Sequence, residues 1–224
     1  MKFFLIFLIF IFYACHNEVK IDTNVNIKDT VIIKTDTVLI DTMKIIIKDT
    51  LLQNDNYPYL NIPHVDSALY YATLGIKEIG KNEGFNNQYF EDKIYYQGWR
   101  PSYSWCAYAV KTFLIMGDVI YPVNKGGYAT DFIKKDAISA NDVRMGKIKI
   151  NPGLLTVFRH GNEKRGHVGI TYEWDNTSGI VIEGNTSPDS KGSQSDGEGL
   201  YIKHRTIQVR NYFRIVNFQP VKYK

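Results

Sequence analysis

The sequence predicts an α+β domain in which helices come first, an antiparallel sheet follows, and the helices pack on one side of that sheet. Two observations carry this: two helical stretches with start and stop signals lie before residue 118, and five short β-rich runs separated by turn-rich loops follow residue 151. In the first stretch, "DSALYYATLGIKEIGKNEG", Asp66 or Ser67 is the expected N-cap. Apolar residues stand at 68, 69, 72, 76 and 79, and Gly80 supplies the stop. The second helix is expected from near Ser104 to Met116, ended by Gly117, with Val110, Phe113 and Leu114 as its buried stripe. A weaker helical pattern spans Tyr128 to Lys135. The strands are "LLTVF" (154–158), "HVGITY" (167–172), "GIVIEG" (179–184), "LYIKHR" (200–205) and "YFRIV" (212–216).

A chain of 224 residues is long enough for one well-buried domain with appendages, and hardly for two with separate cores. The net charge of +4 is spread along the sequence without a basic tract, so nucleic acid is not expected as a partner. The beginning, "MKFFLIFLIFIFYAC", carries one Lys and then an apolar run from Phe3 to Ala14. That run is too short to span a bilayer and fits the apolar region of an export signal. "FYAC" resembles a lipobox with Phe12 where Leu is usual, which makes Cys15 the expected lipidation site and the membrane a partner through that lipid. An ordinary cleaved signal and a short uncleaved anchor are the other readings. The expected location is therefore the bacterial cell envelope, as an exported, membrane-anchored lipoprotein.

We divide the chain into the signal (1–15), an extended tether (16–60) and a catalytic domain (61–224). From Glu18 to about Asn56 the Asp-Thr pair recurs at 22, 29, 36, 41 and 49 among Ile, Val and Lys, with neither Gly nor Pro. High β-branched content and mixed faces favour extended chain over helix, and some 39 residues would reach about 130 Å. Self-association of these runs into an oligomeric stalk is the alternative.

Cys106 lies in "SYSWCAYAVKTFLIMG". With Cys15 lipidated it has no intramolecular partner, and an unpaired thiol outside the cytoplasm asks for a reason. Only about 3% of an ordinary Cys is thiolate at neutral pH. In the first turn of a helix capped by Ser104, orphan N–H groups and the helix dipole would favour the thiolate, and the Cys106 N–H could form half of an oxyanion hole. A core cysteine is the bland reading.

An imidazole must supply the remaining help. His16 lies beside the signal, His64 in the boundary loop, His204 on a late charged strand face and His160 in the loop "RHGNEKRG". His167 opens a strand, a rigid address suited to chemistry. A hairpin around Asp175 and Asn176 places His167 opposite Glu183, whose carboxylate could orient the imidazole. A surface His–Glu pair is the alternative. Tyr103 and Trp105, flanking the cysteine, are assigned to substrate contact, with packing as the other reading for Trp105.

"SWCAYAV" (104–110), "NPGLLTVF" (151–158), "GHVGI" (166–170) and "VIEGNTS" (181–187) occur in the order and approximate spacing of the CHAP family, the cysteine, histidine-dependent amidohydrolases and peptidases related to the NlpC/P60 group. "ALYYATLGIKEIGKNEGFNNQYF" also resembles the helix preceding the nucleophile there. The resemblance covers about Val65 to Phe218. It implies a papain-like α+β fold with Cys106 as nucleophile, His167 as base, Glu183 as its orienting partner and Asn185 as a support of the polar network. Leu154 stands where the family usually has Asp. No acidic calcium loop precedes the cysteine, so neither metal nor cofactor is expected. The resemblance further implies a peptidoglycan hydrolase, an amidase or an endopeptidase of stem peptide or cross-bridge. A non-catalytic lipoprotein that binds wall or protein partner on the same fold is the competing hypothesis, and a peptidase or transamidase acting on proteins is a third. The sequence names no inhibitor or immunity protein.

Overall fold

A computed structural model of the chain describes residues 56–120, 127–188 and 192–223. The stretch read as an export signal, with Cys15 and His16, and the Asp-Thr segment lie outside the described residues. Among the described residues no helix is long and apolar enough to cross a membrane.

Helix α1 spans Pro63–Thr73, followed by the short strands β1 (Glu78–Ile79) and β2 (Gly84–Phe85), which pair with each other. It begins three residues ahead of the expected caps because Pro63 occupies the first turn, where its missing N–H is no loss. It also stops before Gly80. Leu74 caps it, Gly75 turns out at φ +66°, and the chain goes extended through Ile76. Helix α2 (Gln88–Tyr96) was not legible as a separate element; Asn87 caps it, its side chain accepting from Phe90 N at 2.9 Å. Helix α3 is Cys106–Met116. Strand β3 (Val119–Ile120), a 3-10 turn at Ala129–Phe132, β4 (Ile138–Ser139) and the one-turn helix α4 (Ala140–Arg144) lead into the main strands.

These are β5 (Leu155–His160), β6 (Gly166–Trp174), β7 (Ser178–Thr186), β8 (Gly199–Thr206) and β9 (Phe213–Gln219); β10 (Lys222–Tyr223) pairs with β3. All five main strands fall where the β-branched runs predicted them. They form one antiparallel sheet of six strands in the order β4-β9-β5-β6-β7-β8.

Alternation along the strands divides the core in two. Val157, Val168, Ile170 and Ile182 join Leu69, Val110, Phe113 and Leu114 from α1 and α3, and the next residues over, Phe158 and Val181, join Val143 of α4, Trp174 and Phe218. The larger helices thus cover one face as expected, while α4 contributes to the cluster on the other, an addition to the one-sided arrangement read from sequence. Tyr57, Tyr59 and Leu60 pack against the larger cluster, and Tyr172 donates its hydroxyl to Pro58 O at 2.6 Å. The folded domain therefore takes in residues that the sequence reading assigned to the tether.

An aromatic cluster anchors the start of α3. Phe85, Phe90 and Trp105 meet with centroid separations of 4.9 to 6.1 Å, mostly edge to face. Gly184 on β7 lets α3 approach closely, since a Cβ there would stand 2.5 Å from the Trp105 ring and 3.0 Å from Ala109 Cβ. This contact fixes the height of Cys106 above the sheet.

Candidate active site

Cys106 is the first residue of α3. Its N–H and those of Ala107 and Tyr108 precede the first intrahelical bond, Ala109 N to Trp105 O at 2.9 Å, so they lack acceptors one turn back. The expectation of a Ser104 cap is corrected. The cap position is Trp105 and receives no side-chain bond, while Ser104 Oγ is turned away to donate to Asp196 Oδ1 at 3.4 Å. The N–H groups at the start of the helix keep their orientation whatever the cap, because they belong to the backbone.

His167 is fully buried as the second residue of β6, with its ring 5.5 Å from that of Phe158. Its Nε2–H donates to Glu183 Oε2 at 3.0 Å, both side chains being fully buried. That leaves Nδ1 for the thiol. Nδ1 carries no hydrogen bond of full geometry, yet the Cys106 side chain is, with Glu183, a group that raises the pKa of His167. A long or poorly aligned thiol–imidazole contact is usual before a substrate enters.

Burial, the largest single influence on His167, favours the neutral ring. The charge of Glu183, a bond to Cys106, the bond to Glu183 and the charge of Cys106 together outweigh it and push the pKa up to about 9. Glu183 shows the converse. Burial would raise its pKa, but bonds from Arg205 and the charge and bond of His167 hold it below the usual carboxylate value. The ion pair with Glu183 thus favours an imidazolium at neutral pH, with the Cys106 side chain beside it.

The expected pairing of His167 with Glu183 is corrected in register and kept in consequence. β6 and β7 pair Trp174 with Gly179 across a four-residue turn in which Asp175 Oδ1 accepts from Thr177 N and Ser178 N, both at 2.6 Å. A bulge between Thr171 and Glu173 then shifts the ladder, and Ile170 faces Ile182. Continuing this register places Gly169, not His167, across from Glu183. The displacement is of two residues, an even number, so the two side chains remain on one face and meet diagonally.

Arg205 on β8 was missed by sequence reasoning. Its Nε donates to Glu183 Oε1 at 2.7 Å and its Nη2 to Oε2, a fork on a carboxylate. The available signal was the burial of Glu183 itself: a carboxylate in an apolar strand run requires a cation, and "KHR" on the neighbouring strand supplied one.

Comparison of the chain with family models, with curated proteins and with solved structures returned no match. The site therefore has to be judged on its own geometry.

The remaining candidates separate. Tyr103 is half exposed and lines a cleft of about 690 Å³ whose wall also includes Cys106, Tyr128, His160, Arg165 and Tyr212. Trp105 does not: it is fully buried, its indole N–H donating to Glu78 Oε2 at 3.0 Å, and its assignment to substrate contact is corrected to packing. Asn185 is buried in a left-handed conformation, φ 60°, and neither side-chain amide atom has a partner among the described residues, His167 included. His160, the weaker rival to His167, bonds Ser195 Oγ at 3.0 Å at the cleft wall; burial, then the charge of Arg165, keeps its pKa down. His64 lies not in a loop but in α1, buried, with Nε2 bonded to Gly153 O at 2.8 Å. His204 is exposed, as its strand face suggested. Among the described residues no group of three or more His, Cys, Asp or Glu could hold a metal ion.

Proposed function

We propose that the domain is a cysteine-dependent amide hydrolase of papain-like, CHAP-type architecture that acts on peptidoglycan from an exported, lipid-anchored chain. The observation that carries the reading is the convergence of three residues distant in sequence: a helix-start cysteine, a strand-start histidine and a buried carboxylate bonded to that histidine at 3.0 Å. A core cysteine has no use for a buried imidazole held by an ion pair.

In the proposed reaction the imidazolium of His167 is the state that already holds the thiol proton, and Cys106 Sγ, so deprotonated, attacks the substrate carbonyl. The resulting oxyanion lies against the free N–H groups at the start of α3, that of Cys106 included. As the C–N bond breaks, the imidazolium gives its proton to the departing amine, leaving a thioester on Cys106. Water then attacks that thioester, with His167 as base, and releases a carboxylic acid and the thiol. Glu183 stays ionised throughout. The cleft beside the sulfur, with exposed tyrosines at its rim, is large enough for a segment of glycopeptide. The choice of peptidoglycan rests on the motif resemblance and the export signal.

Digestion of purified peptidoglycan with wild type and with Cys106→Ala, followed by mass spectrometry of the released muropeptides, tests the reading and identifies the bond. New amine and carboxyl ends with the wild type alone support it. Equal digestion by both proteins removes Cys106 from the chemistry, and no digestion by either leaves the wall-binding lipoprotein as the reading to pursue.

A further inference from the structure

We infer that Arg205 is a positioning residue of this site: it keeps the Glu183 carboxylate ionised and oriented toward His167, and fastens that carboxylate to the cleft loop through Gln194. The inference rests on the reading of Cys106 and His167 as a reactive pair.

Arg205 is mostly buried, 12% exposed in its side chain, and its contacts run two ways. Toward the interior its fork closes on both oxygens of Glu183, sharing Oε2 with His167 Nε2. Toward the cleft its Nη1 donates to Gln194 Oε1 at 2.9 Å and its Nη2 to Gln194 O at 3.3 Å. The residues directly after Gln194 are Ser195 and Asp196, both of which line the cleft. The guanidinium also lies 5.3 Å over the Phe158 ring, the same ring that packs against His167.

A carboxylate with no exposure needs more than one hydrogen bond to stay charged, because burial alone favours its neutral form. The charged groups acting on Glu183 are Arg205 from β8 and His167 from β6. His167 in turn is acted on by Cys106 from α3, and its charge is felt by the imidazole of His160 from β5. Remove the guanidinium and Glu183 takes up a proton at a higher pH. The imidazolium then loses its counter-charge in the acid range, and with it the thiolate. Lysine at this position would keep the charge but not the fork, since an ammonium is a point donor.

The test is the rate of Cys106 alkylation by iodoacetamide in the full-length protein, between about pH 4 and pH 9, for wild type, Arg205→Lys, Arg205→Gln and Arg205→Met. The position of the acid limb should follow charge: Arg205→Lys within about half a unit of wild type, Arg205→Gln and Arg205→Met at least about one unit higher. The plateau should follow geometry and fall severalfold in all three. If Arg205→Met does not fold, Arg205→Gln carries the same expectation. An unshifted acid limb in the neutral variants, or a parallel fall at every pH, overturns the role given to Arg205. A wild-type thiol no more reactive than a free cysteine overturns the underlying reading of the pair instead.

Discussion

Glu183 reaches His167 by passing over Gly169, where a Cβ would stand only 2.6 Å from Glu183 Cγ. The diagonal bond between carboxylate and imidazole depends on that missing side chain. Gly169→Ala should push the carboxylate aside, lowering hydrolysis roughly 10–100-fold, because small misplacements of reacting groups are costly. Overpacking should destabilise the fold by about 1–3 kcal/mol. Peptidoglycan hydrolysis beside urea unfolding checks both. Wild-type activity in a folded Gly169→Ala would show that Glu183 is not needed where it stands.

His167 predicts a pH window for stability. Its folded pKa of about 9 lies above the ordinary 6.5, so its ion pair contributes fully below about pH 6.5 and is lost as pH rises through about 9. A shift of this size corresponds to about 3 kcal/mol. Glu183 has the opposite sign: its pKa is depressed, so its contribution is present above the ordinary carboxylate value and fades as pH falls through the lower folded one. Urea unfolding of the wild type should therefore weaken from pH 6.5 toward pH 9, and Glu183→Gln should flatten that slope. Hydrolysis by the wild type should decline on the alkaline side near the same value of about 9, as the proton for the leaving amine disappears.

The neighbours of the cysteine separate by burial. Trp105 is fully enclosed and Tyr103 is 50% exposed at the cleft. Trp105→Ala should cost about 3–5 kcal/mol of folding stability. Tyr103→Ala should leave the unfolding midpoint within about 0.5 kcal/mol of wild type and act on KM. Thermal unfolding with steady-state kinetics on a soluble muropeptide distinguishes them; a destabilised Tyr103→Ala with unchanged KM would remove Tyr103 from the binding surface.

What the sequence revealed, and what it concealed, follows from the range of the forces involved. β-branched runs bounded by turn residues located all five main strands, because that signal is local. The helix carrying Cys106 was legible from its apolar stripe and Gly117. Its cap was not, because Ser104 is drawn to Asp196, a residue 92 positions away. The hairpin register was off by two because the turn spans Asp175 to Ser178 instead of centring on Asp175 and Asn176, which shifts the ladder by three, and the bulge at Thr171–Glu173 takes one residue back. Arg205 was overlooked for the same reason as the cap: its partner is 22 residues distant, and only the burial of Glu183 makes the pairing obligatory.

Asn185 poses the last question of strand β7. It holds φ at 60°, a conformation that costs a residue with a Cβ roughly 1 kcal/mol, and it buries an amide whose polar atoms have no partner among the described residues. Asn185→Gly should therefore be neutral or stabilising by up to about 1 kcal/mol, since glycine adopts positive φ freely. Asn185→Ala should lose about 1 kcal/mol relative to Asn185→Gly, because it keeps the backbone strain. If Asn185→Gly instead unfolds at markedly lower urea, the amide has structural partners, and its role is to hold β7 in place. If stability is kept while hydrolysis falls severalfold, the amide serves the reaction, as the likeness of "EGN" to the CHAP motif implies.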